Sequence, residues 1–69
     1  PATEVVLPPT QRGRLAEAHK GGGDPAGLEY LKSIGKTPTE TVWLMWKQFG
    51  WKNEKRDKYL AAIPPQTEE

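Results

Sequence analysis

Proline and glycine punctuate this chain so closely that only short helices fit between the breaks. Pro8-Pro9 excludes helix at the start, and Gly21-Gly22-Gly23 ends a first segment. Pro25 follows, then Gly35, Pro38, Gly50 and finally Pro64-Pro65. Proline removes a backbone donor and is tolerated only in the first turn of a helix, whereas glycine supplies the left-handed residue that closes one. The segments left between them carry helical spacing of apolar residues, so the expected fold class is all-α.

The first segment, 10–20, reads as a weak, peripheral helix. Thr10 is a candidate cap, and Leu15, Ala16, Ala18 and His19 give it a thin apolar face. Gly13 lies inside it and costs about 1 kcal/mol against alanine. The triple glycine matches neither a P-loop nor a GxGxxG phosphate cradle, and no strand precedes it, so it reads as a flexible linker. Asp24 then caps a helix over 25–34 with Pro25 in its first turn and Leu28, Leu31 and Ile34 on its apolar face.

Thr37-Pro38-Thr39-Glu40 has the spacing of a capping box and opens a helix over 38–49. Val42, Met45, Trp46 and Phe49 fall at i, i+3, i+4 and i+7, one helix face. Trp51, just past Gly50, is placed to fold back on Trp46. Asn53 is the expected cap of a last helix over 54–63, whose stripe is Tyr59, Leu60 and Ile63 with the stem of Arg56. Residues 1–9 form an expected extended arm carrying Val5, Val6 and Leu7, and 64–69 a polar tail.

The expected architecture is thus one domain, 10–63, with three core helices and a weaker N-terminal one. Its expected core is Leu28, Leu31, Ile34, Val42, Met45, Trp46, Phe49, Leu60 and Ile63. A central Trp46 would cost about 3–5 kcal/mol on truncation to alanine. The chain has 69 residues and no cysteine, so no disulfide or thiolate metal site contributes, and apolar packing must supply the stability. Completion of the core in a homodimer is the other route open to so small a chain.

Catalysis finds little support. His19 is the single histidine, with no nucleophile pattern beside it, and neither a metal nor a cofactor site is expected. No apolar run reaches the roughly 20 residues of a membrane span, and the absence of cysteine fits the cytoplasm. Two features point instead to binding. Trp43 and Leu44 widen the apolar arc of helix 38–49 beyond one face, which suggests a protein-binding surface of Trp43, Leu44 and Trp51, with Lys52 and Lys55 steering an acidic partner. The chain would then act as a small regulator, inhibitor or assembly factor, as monomer or homodimer. The alternative is nucleic-acid binding through Arg12, Arg14, Lys52, Lys55, Arg56 and Lys58, on local clustering alone, since the net charge is only +1. A helix-turn-helix over 38–63 fits poorly, because Trp46 occupies the place where a small side chain lets the two helices cross.

Overall fold

The capping box forms as its spacing requires. The Glu40 amide donates to Thr37 Oγ1 at 3.2 Å, and the Thr37 amide donates to Glu40 Oε1 at 2.9 Å. Gly35 (φ 91°) closes the preceding helix in a Schellman arrangement: its own N–H donates to the Lys32 carbonyl, and the Lys36 N–H to the Leu31 carbonyl, both at 3.0 Å. Gly50 (φ 66°) ends the next helix. The computed structural model describes residues 6–64 as three helices, α1 (Pro9–Ser33), α2 (Pro38–Phe49) and α3 (Asn53–Ala61), with no strand among the described residues.

The triple glycine is not a linker. Gly21 and Gly22 continue the helix, and only Gly23 leaves it, at φ 73° and ψ −162°. This is a region essentially restricted to glycine. Helix resumes at once, with Pro25 in its first turn, where the missing N–H does no harm. The two halves of α1 therefore fold toward each other. A Cβ placed on Gly22 would lie 2.6 Å from Ala26 Cβ across the bend, so this glycine is required by space and Gly23 by backbone conformation. Gly21 has open space around it and helical geometry.

Both α1 and α3 pack on α2 and not on each other. Leu15 from the first half of α1, Leu31 from the second, and Met45 from α2 are fully buried, joined by Leu7, Val42, Leu44 and Trp51. Gly27 marks the close approach of α1 to α2: a Cβ there would stand 2.9 Å from Met45 Cε and 3.4 Å from Leu15 Cδ1. Thr41, the buried polar side chain, donates from Oγ1 to the Pro38 carbonyl at 2.6 Å.

The 10–20 segment is not peripheral, because Leu15 sits in the core. Helix begins at Pro9 rather than after Thr10, with Pro8 in the capping position. Of the arm, residues 1–5 lie outside the described residues, as do 65–69 of the tail; Leu7 is buried and Val6 exposed. Trp46 is half-buried rather than central, and Leu28, Ile34, Phe49, Leu60 and Ile63 also pack around the core as half-buried residues. The buried arc of α2 is turned toward Thr41 and Leu44, and Leu44 shares the buried cluster with Leu7.

Two outcomes follow in denaturant melts. Gly23→Ala is expected to cost about 1–3 kcal/mol, whereas Gly21→Ala is neutral or stabilising by about 0.4–1 kcal/mol. Met45→Ala should cost about 2–5 kcal/mol, and Trp46→Ala less than Met45→Ala in the same assay.

Candidate protein-interaction surface

α3 begins one residue earlier than its sequence suggests, and this changes what Asn53 does. Lys52 holds the capping position without a side-chain cap, and Asn53 is the first helical residue. Its Oδ1 accepts instead from Trp46 Nε1 at 3.1 Å and from the Arg56 guanidinium at 3.3 Å. Arg56, one turn further along α3, lies over two indoles, with its Cζ 4.9 Å from the Trp43 ring centre and 5.0 Å from that of Trp46. The two indoles meet edge to face, 5.4 Å apart at 90°. Asp57 holds the guanidinium at 2.9 Å.

Five side chains from two helices thus form one connected cluster on the outer side of α2 and α3. Cation–π contact contributes about 0.5–1 kcal/mol at exposed sites and more when desolvated. Only 17% of the Arg56 side chain is exposed, so the arginine is a packed element of the helix pair. Trp43 stays half-buried, outside the apolar cluster that contains the core.

A second cluster joins all three helices. The Asp24 carboxylate accepts from Lys55 Nζ at 2.6 Å and lies 2.8 Å from His19 Nε2. These oxygens were expected to cap the second half of α1, but they face side chains instead. Lys55 to Asp24 is the one hydrogen bond between α1 and α3 among the described residues. The His19 ring stacks on Phe49 at 4.0 Å, which ties the same corner to α2. The Lys55 hydrogen bond, with smaller help from His19 and against the opposing effect of burial, holds the Asp24 carboxyl below its ordinary value of 3.8.

The residues expected to form one contact surface separate into different environments. Trp43 remains accessible in part, but Leu44 and Trp51 are buried in the core. The ring beside Trp51 is Tyr59, at 4.7 Å, and not Trp46; the Lys55 ammonium lies over the indole at 4.6 Å. Periodicity could not place Trp51, because its partner comes from the following helix. Of the six candidate phosphate-binding cations, Lys55 and Arg56 are held by carboxylates and indoles. Arg12, Arg14, Lys52 and Lys58 are exposed. Sequence reasoning missed the roles of Asn53, Asp24 and Asp57, whose only signal was that each is polar and lies near a turn or an arginine.

No helix among the described residues is long and apolar enough to cross a membrane. Compared with protein-family models, curated proteins and solved structures, the chain matches none.

The Asp24 cluster makes stability depend on pH in a defined direction. A carboxyl whose value is lowered by folding stabilises fully above its unfolded value and loses that contribution as pH falls through the folded one. Thermal melts taken downward from about pH 5 should therefore drop more steeply for the wild type than for Asp24→Asn, the two curves converging in acid.

Proposed function

We propose that this chain is a non-catalytic protein-binding module, a small regulator, inhibitor or assembly factor that works by occluding or recruiting a protein partner. The observation that carries the reading is the Trp43–Arg56–Trp46 cluster. Tryptophan and arginine are the side chains most enriched at interface hot spots, and here two half-buried indoles remain accessible in part beside a largely covered arginine. Asn53 and Asp57 already fix the guanidinium, so little side-chain freedom remains to be lost on binding. Lys52, exposed at the start of α3, supplies a cation near this cluster that steers an acidic partner. Nucleic-acid binding is the weaker reading, because two of its six cations are committed to contacts within the molecule.

Trp43→Ala is expected to cost about 1–3 kcal/mol while leaving the chain folded, and to lose retention of the partner in affinity capture. Random duplex and single-stranded DNA and RNA form the opposing arm, at roughly 50 and 200 mM salt. Micromolar binding that collapses between those salts, with partner retention unaffected by Trp43→Ala, would replace this reading with the nucleic-acid one.

A further inference from the structure

A helical glycine normally has a reason in backbone conformation or in packing, and Gly13 has neither. Its φ is not positive, it lies within the regular first half of α1, and a Cβ added there would meet nothing within 4 Å. Gln48 reaches across from α2 to donate to the Arg12 carbonyl at 3.0 Å, yet leaves that space open. Glycine in a helix interior is unfavourable against alanine, so the open position costs stability with no return inside the molecule.

Gly13 does line a groove of about 440 Å³ between residues 6–7, α1 and α2. The volume falls within the range of sites that accept a ligand. Leu7 and Leu44 give the groove an apolar floor, and Val6 stands beside it, 62% exposed and the one exposed large hydrophobic among the described residues. Arg12 and Lys47 also line it, from α1 and α2 respectively, with no acidic residue among the described residues of the lining. Neither cation has an ion-pair partner among the described residues.

We propose that this groove docks an acidic peptide segment of a partner protein. One large apolar side chain enters over Leu7 and Leu44, the peptide backbone passes close to α1 at Gly13, and flanking carboxylates meet Arg12 and Lys47. Charge complementarity selects this occupant: a basic segment would be repelled by both cations, and a purely apolar one would leave them unanswered. The inference rests on reading the chain as a protein-binding module and adds a second surface, distinct from the Trp43–Arg56–Trp46 cluster.

The test uses a blocked synthetic peptide, Glu-Asp-Leu-Phe-Asp-Glu, titrated to millimolar concentration into the isotope-labelled chain, with Lys-Lys-Leu-Phe-Lys-Lys as control. Saturable shifts are expected at the amides of Leu7, Arg12, Gly13, Lys47 and Gln48 with the acidic peptide and not with the basic one. Gly13→Ala should raise the melting temperature by about 4–8 °C, because alanine relieves the helix penalty in open space. Gly13→Leu, whose Cβ meets no neighbour within 4 Å and whose own melt reports that the chain still folds, should abolish the shifts. Arg12→Glu combined with Lys47→Glu should weaken binding on the order of tenfold or more. No saturable shift at the groove, or equal shifts with the basic peptide, overturns the proposal. Shifts confined to the Trp43 and Trp46 indole N–H signals also overturn it, while leaving the binding-module reading standing.

Discussion

At Gly23 the backbone of α1 leaves helical geometry for one residue, and the core depends on that bend. In a straight helix Leu15 and Gly27, twelve residues apart, would be separated by about 18 Å. Here a Cβ on Gly27 would come within 3.4 Å of Leu15 Cδ1, with Met45 against both. The bend lets one helix present two faces to α2, so that three short elements enclose Met45 completely. A chain this small has little surface to bury, and folding one helix onto itself recovers burial that a straight rod would forfeit.

The polar contacts reinforce the same corner. Asp24 follows the bend directly and joins His19, which precedes it, to Lys55 of α3. α1 and α3 otherwise meet only through α2. Partly exposed ion pairs contribute modestly to stability. The value of this one lies in geometry, since it sets where α3 ends up relative to α1. The next residue of α3, Arg56, lies over the two indoles of α2. α3 has no fully buried residue of its own, so its position is set by half-buried contacts and by these two cations.

That division of labour among the cations shapes the binding argument. Lys55 and Arg56 look like the centre of a basic helix in sequence, yet both are engaged within the fold. Arg12 reads in sequence as one of several scattered candidate phosphate contacts, and Lys47 as a cation beside the aromatic run. Folding brings them to the same groove, around an apolar floor.

The all-helical fold, the 38–49 helix and the glycine stops at Gly35 and Gly50 could be read from the chain, because capping is local chemistry: Thr37 and Glu40 are three residues apart, and each glycine terminates what precedes it whatever lies elsewhere. The apolar spacing likewise marked Leu31, Val42 and Met45 for burial. Tertiary structure decided the rest. Leu44 rather than Trp46 lies inside, in the buried cluster that also holds Leu7. Whether Trp51 was surface or core depended on Tyr59 in the next helix. The Asp24 and Asn53 oxygens accept from side chains instead of capping: Asp24 from Lys55 across the fold, and Asn53 from Trp46 and Arg56 on either side of the α2–α3 turn. Local hydrogen bonding and periodicity thus determined which elements form. The rotation of each element about its axis, and so which tryptophans and cations face outward, was set by contacts between residues that the chain brings together only on folding.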